Sequence, residues 1–206
     1  MRLILARHGE TQLNKDGQIQ GLGGTPLNAT GNAQAHALAG YLEADLPFAL
    51  YSSPVARALE TAVVVSETLR VPLTTLSGLR EADAGDLEGL TGEEMRQRYS
   101  EFAEHWSQDS GSTQMPGGES LSQVQQRAWA VVTDLMSRHA GDTVVAVTHN
   151  FTIQTVICRV LEMSLHHGRR LKQDLGSVSR LDLSDSQVSL ASLNETWHLR
   201  SLRRTD

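Results

Sequence analysis

Three short apolar runs, at residues 3–6, Ala49–Ser52 and Thr143–Thr148, constrain this chain more than anything else in it. Each is apolar on both faces of an extended backbone, the pattern of a strand buried on both sides in a parallel sheet covered by helices. Helical signals lie between them. One helix is expected to start near Thr30 and to run through Leu38 and Leu42. Ser53-Pro54 reads as the opening of another, with serine as cap, proline in the first turn, and Val55, Leu59, Ala62 and Leu69 as its apolar face. Residues 71–76 read as a third short strand. Thr91…Glu94 and Ser120…Gln123 are capping-box patterns. The first predicts a helix towards Trp106, and the second leads into Leu121, Val124, Ala128, Val131 and Leu135. Residues 150–163 predict a helix apolar on most sides. Residues 178–183 and 188–191 alternate instead, and with the linker 184–187 they read as a hairpin. The expectation is an α/β three-layer sandwich: a mainly parallel central sheet, helices on both faces and an antiparallel addition near the C-terminus. At 206 residues, one domain spanning 1–206 is expected.

Charge and cysteine use narrow the functions. Asp and Glu outnumber Lys and Arg by 24 to 18, a net charge of −6, which argues against nucleic-acid or anionic-membrane partners. Cys158 is the single cysteine, so neither an internal disulfide nor a cysteine zinc site can form. It falls in an apolar helix and reads as core. The apolar start is too short for a signal sequence and stops at Arg7, and no run approaches a membrane span. A cytoplasmic protein is the resulting expectation. Arg200, Arg203 and Arg204 read as a solvated tail.

The chemistry concentrates where two of the apolar runs end. The first closes in Arg7-His8-Gly9 and the third in Thr148-His149-Asn150. Ligand sites of open α/β sheets gather at the carboxyl edge of the strands, so two histidines and an arginine are expected side by side there. A strand-capping role for each histidine is the plainer alternative, and the coincidence of two weakens it. Arg57 falls in the first turn of a helix, where the dipole disfavours a cation. Either it is solvated or it binds an anion together with the helix start. His166-His167 reads as an exposed pair, and no carboxylate stands at a spacing that would make them a metal site. His36, His105, His139 and His198 read as surface or packing residues. Trp106, Met115 and Phe151 are candidates for the substrate side.

Residues Leu5-Ala6-Arg7-His8-Gly9-Glu10-Thr11 with Asn14 resemble the signature of the histidine phosphatase superfamily, which includes the cofactor-dependent phosphoglycerate mutases. The resemblance extends in order through Thr25-Pro26-Leu27-Asn28 and Gly31, then Ser52-Ser53-Pro54 with Arg57, Glu60, Thr61 and Ala62. It continues through Leu79-Arg80-Glu81 with Gly85, Leu87, Glu88 and Gly89, then Gly117-Gly118-Glu119-Ser120, and finally Val147-Thr148-His149. Two departures, Gly23-Gly24 before the Thr-Pro-Leu stretch and Asn150 after the second histidine, lie near the expected pocket mouth. The resemblance implies that His8 is the nucleophile accepting a phosphoryl group and that Glu81 is the proton donor. It implies that Arg7, Arg57 and His149 bind the transferring group, with Asn14, Gln20, Gly21 and Asn150 as further substrate contacts.

The residue types suit such a reaction. Arginine is permanently charged and offers a planar fork to phosphoryl oxygens. An imidazole attacks through an unprotonated nitrogen, so its other nitrogen must give a proton to an acceptor; a carbonyl near Gly9 would serve. Glu81 must hold a proton for the leaving alkoxide, unless it is instead a structural partner of Arg80 or Arg57. No metal and no cofactor is called for. The expected activity is hydrolysis of a small phosphorylated metabolite through a phosphohistidine. The alternatives are a phosphoglycerate mutase using the same His8 chemistry and a non-catalytic phosphate-binding module. A homodimer is the assembly left open.

Overall fold

The computed structural model describes residues 1–184 and 187–202. Asp185 and Ser186 of the expected hairpin linker, and Arg203 and Arg204 of the tail, lie outside the described residues. The three apolar runs become β1 (Arg2–Arg7), β2 (Ala49–Ser52) and β4 (Thr143–Thr148) of one six-stranded sheet. With β3 (Leu73–Thr75), β5 (Val178–Leu183) and β6 (Val188–Glu195), the spatial order is β3-β2-β4-β1-β5-β6. The first four are mutually parallel, and β5 and β6 add on antiparallel, as the alternation of their residues predicts.

Side chains alternate across the sheet into two cores. Ile4, Ala6, Val145 and Val147 meet Leu38 and Leu42 of α2 (Ala29–Leu42) and Ala58 and Val65 of α3 (Ala56–Leu69). Leu3, Leu5, Val144 and Ala146 meet Val132 and Leu135 of α6 (Leu121–Arg138) and Ile153 and Ile157 of α7 (Asn150–Val160). The helix following β1 therefore lies on one face and the helix following the adjacent β4 on the other. Such a reversal opens a crevice between the carboxyl ends of the two strands. A third apolar cluster, with Ala82, Ala84, Leu87, Phe102, Trp106 and Met115, is built by the excursion between β3 and α6.

Several boundaries differ from expectation for identifiable reasons. Strand β3 is confined to Leu73–Thr75, after Pro72, which has no N–H to give a ladder. Helix α3 starts at Ala56, with the Val55 carbonyl accepting its first bonds; the Ser53 hydroxyl oxygen accepts from Val55 N–H, just ahead of the helix, rather than from an N–H inside it. The capping box of Thr91 and Glu94 forms, but the helix leaves helical backbone at Tyr99 and resumes, giving α4 (Gly92–Arg98) and α5 (Ser100–Gln108). Nothing in the residues breaks it; Met95 and Tyr99 from one segment and Phe102 and Trp106 from the other join the third cluster, and packing overrides propensity. Helix α7 ends at Val160, where Glu162 takes a left-handed conformation and Met163 N–H bonds back to the Cys158 carbonyl. On α6 it is Val132 that is fully buried, while Val131 packs against Gly78. His166 and His167 are half-buried in a 3-10 turn rather than exposed.

Candidate active site

Register delivers the two histidines together. The β1–β4 ladder runs from Arg2 opposite Thr143 to Arg7 opposite Thr148, and His8 N–H then donates to the Thr148 carbonyl at 3.0 Å. The His8 and His149 rings lie with centroids 5.1 Å apart, both buried. His8 Nδ1 is 2.7 Å from the carbonyl oxygen of Gly9. That carbonyl can only accept, so Nδ1 carries the proton and Nε2 is left bare. Arg57 Nε donates to Nε2 at 3.2 Å, which needs the same tautomer. Burial above all, then the charges of Arg7 and Arg57, holds His8 well below the usual imidazole range, so the ring is neutral. Gly9 is required by its surroundings, since a Cβ there would sit 2.4 Å from the Gly31 carbonyl oxygen at the start of α2.

His149 is fully buried, and burial with its cationic neighbours likewise depresses it. Its Nε2 shares a 2.8 Å hydrogen bond with Ser53 Oγ, while Nδ1 has no protein partner. Ser53 Oγ also accepts from Val55 N–H at 3.2 Å. Arg57 reaches the crevice from the first turn of α3 and is 1 % exposed, a cation that burial pulls below its usual range. Arg7 gives one N–H to the Gln173 carbonyl at 2.6 Å, leaves its Nε buried and unpartnered, and is drawn down by burial to about 10. Two guanidinium groups and a bare imidazole nitrogen in a desolvated crevice can receive a dianionic, tetrahedral group.

Glu81 stands opposite on an irregular stretch. Its carboxylate accepts from Ala82 N–H at 2.9 Å and from Phe151 N–H, in the first turn of α7, at 3.3 Å. No ion pair joins it to Arg80 or Arg57. The stretch around it is held by side chains. Arg127 of α6 donates to the carbonyls of Gly78, Arg80 and Glu81, and Thr148 and Thr152 donate to those of Leu79 and Arg80. Glu119 grips Arg127 through both oxygens at 2.9 Å and accepts from Asp83 N–H. Of these, the sequence offers a motif match for Glu119 and Thr148 but no role; nothing distinguishes Arg127 from other polar residues of an amphipathic helix.

The remaining candidates are placed as follows. Asn14 Oδ1 accepts from Thr11 N–H and hydroxyl, capping the short helix α1 (Gln12–Lys15). Gln20 Oε1 lies 3.0 Å from the same hydroxyl, whose single proton the two amide oxygens share, and its Nε2 is buried without a protein partner. The Gly21 carbonyl accepts from Arg57. Asn150 is the first residue of α7, and its Oδ1 accepts from Gln154. Trp106 and Met115 are buried inside the third cluster rather than open to the crevice, while half-buried Phe151 supplies the N–H on Glu81. Cys158 is core, with its thiol pushed up to about 11 by burial. Among the described residues, no three His, Cys, Asp or Glu side chains are grouped to hold a metal ion, and no helix is long and apolar enough to cross a membrane.

Comparison with known proteins gives a consistent result. A model of the histidine phosphatase superfamily (branch 1) matches residues 3–196. Phosphoserine phosphatase 1 of Hydrogenobacter thermophilus is 30 % identical over 97 % of this chain and 94 % of that protein. A metal-independent phosphoserine phosphatase of Arabidopsis thaliana is 31 % identical over 97 % of this chain and 84 % of that one. Among solved structures, YhfR of Bacillus stearothermophilus superposes with a TM-score of 0.90 at 33 % identity, covering 96 % of this chain and 98 % of that one.

Proposed function

Because this chain belongs to the histidine phosphatase superfamily (branch 1), and so is an enzyme of the phosphatase type, we propose that it hydrolyses a small phosphomonoester through a phosphohistidine on His8. Phosphoserine, the substrate in the names of two relatives, is the first to test. The observation that supports the reading is the bare Nε2 of His8, fixed by the Gly9 carbonyl and faced by Arg57.

In the first step His8 Nε2 gives up the hydrogen bond from Arg57 Nε–H and attacks phosphorus, and the bond to the ester oxygen breaks. Glu81 gives its proton to the departing alkoxide, which leaves as the alcohol. Arg7 and Arg57 stabilise the charge on the transferring group, which is where such reactions gain most of their rate. The Ser53 hydroxyl, donating to His149 Nε2, leaves an N–H on Nδ1 for a phosphoryl oxygen. In the second step Glu81, now a carboxylate, takes a proton from water as the water attacks phosphorus. The P–N bond breaks, inorganic phosphate leaves, and His8 and Glu81 return to their starting states. The arginines supply the positive charge, so a chelator should leave the rate unchanged.

Rapid quenching with phosphorus-labelled phosphoserine tests this. An acid-labile, base-stable phosphoprotein should form and be absent from His8→Ala, and a variant that still turns over would overturn the assignment. With 3-phosphoglycerate and a trace of bisphosphoglycerate, released phosphate supports the hydrolase, whereas 2-phosphoglycerate would make the enzyme a mutase.

A further inference from the structure

Arg57 is held from behind as well as aimed forward. Besides the bond to His8, its two terminal nitrogens donate to the carbonyls of Gly21 at 2.9 Å and Gly23 at 3.2 Å. A guanidinium has five N–H donors; with two held by these carbonyls, the other two terminal N–H groups and the Nε–H that His8 releases when it engages phosphorus are left for phosphoryl oxygens, and their direction is set by where those carbonyls stand. The carbonyls belong to irregular backbone that has no ladder to fix it. What fixes it is Glu88. Its Oε1 accepts from Gly21 N–H at 3.2 Å and from Gly23 N–H at 2.8 Å, so one carboxylate oxygen gathers both amides. The glycines permit the approach: a Cβ on Gly23 would lie 2.4 Å from Glu88 Oε1, and one on Gly21 would lie 2.6 Å from Ala84 N.

Glu88 is itself anchored. Ile19 N–H donates to the Leu90 carbonyl, Gly89 N–H donates to the Ile19 carbonyl, and Gln18 donates to the Gly89 carbonyl, so the two stretches cannot slide apart without losing all three. Burial lowers Arg57 most, and Glu88 is, after Glu81, one of the two carboxyl groups that oppose it. We propose that Glu88 is a positioning residue for phosphoryl transfer: gripped by the amides of Gly21 and Gly23, it sets the two carbonyls that aim Arg57 at the group bound to His8. This rests on the reading of Arg57 as a phosphoryl-binding group.

The test is a double-mutant cycle between Glu88 and Arg57, read as the affinity for inorganic phosphate by calorimetry, which requires no turnover. Glu88→Ala should weaken phosphate binding by about tenfold, and Glu88→Gln, which keeps an acceptor, should recover most of it. In the Arg57→Ala background, Glu88→Ala should change the affinity by less than about twofold, because its effect passes through the guanidinium. Gly23→Ala disturbs the same grip from the other side and should reproduce the loss, which keeps the proposal testable should Glu88→Ala not fold. Unchanged phosphate affinity in Glu88→Ala, or losses that multiply in full with Arg57→Ala, would overturn the proposal. The phosphate affinity of Arg57→Ala alone tests the reading of Arg57: no loss there would fail that reading, whereas a loss there with none in Glu88→Ala would fail the positioning role of Glu88.

Discussion

His8 and His149 leave the ends of two paired strands, whereas Glu81 stands in a stretch, residues 78–83, that belongs to no ladder. For the histidines, each backbone group up to the crevice is matched by another backbone group across β1 and β4. For Glu81, four successive carbonyls, from Gly78 to Glu81, are matched by side chains of Arg127, Thr148 and Thr152. A buried or half-buried carbonyl needs a donor in either case. A ladder supplies donors whatever the side chains are; an irregular loop does so only if particular side chains reach it. Along the strands that carry the two histidines, substitutions should therefore be tolerated where backbone pairing does the holding, Gly9 and Ser53 excepted, while the acid half should be sensitive to side chains that never meet substrate.

That contrast can be broken or sharpened by measurement. The largest effect belongs to His8→Ala, which should lower turnover of phosphoserine by on the order of 10⁴-fold or more, as loss of a nucleophile does. Glu81→Gln should lower alkyl phosphate turnover by about 10²- to 10³-fold while sparing aryl phosphates, whose leaving groups need little protonation. Equal losses on the two substrate types would remove the acid from Glu81.

Acid should weaken the fold through the histidine half. Below the ordinary imidazole value of 6.5, the unfolded chain binds protons that buried His8 and His149 refuse. Stability is thus present above 6.5 and lost as pH falls, by up to about 1.4 kcal/mol per pH unit for each group. Urea midpoints between pH 7.5 and 5 should fall less steeply in His149→Gln; parallel curves would contradict the assignment.

Arg127→Met comes next. It should slow alkyl phosphate turnover by about tenfold or more by loosening Glu81, while phosphorylation of His8 by an aryl phosphate stays near normal. A uniform loss across leaving groups would mean that Arg127 supports both halves alike. Thr148→Val, which removes one donor to Leu79, should cost about 1 kcal/mol of stability in thermal unfolding and have only a small kinetic effect.

The same division explains how much could be read from residue order. Strands β1, β2 and β4 and the β5–β6 pair were legible because apolar continuity and alternation are properties of local sequence. So was the meeting of His8 and His149, since both follow the ends of such runs. The strand order was not legible, because nothing local says that β4 inserts between β1 and β2. Ser53 was half legible for a related reason: its hydroxyl oxygen accepts from Val55 N–H just ahead of α3, as its sequence context suggests, but its bond to a histidine distant in the chain has no local signature. Arg127 and Glu88 act on backbone carbonyls and amides, and a backbone group leaves no trace in the identity of the residue that carries it, so Glu88 was visible as a motif match but its grip on Gly21 and Gly23 was not.

The placement of β1 also bears on how the chain must be made. Leu3 finds its neighbours at Val144 on one side and at Leu181 on the other. Strand β1 thus stays unpaired in the sheet until β4 and β5 have been made. Contacts so distant in sequence close slowly, and an unpaired apolar strand can meanwhile join other chains. Recovery of activity should accordingly be among the last events in refolding. At high protein concentration, yield should be limited by aggregation of species whose helices have already formed.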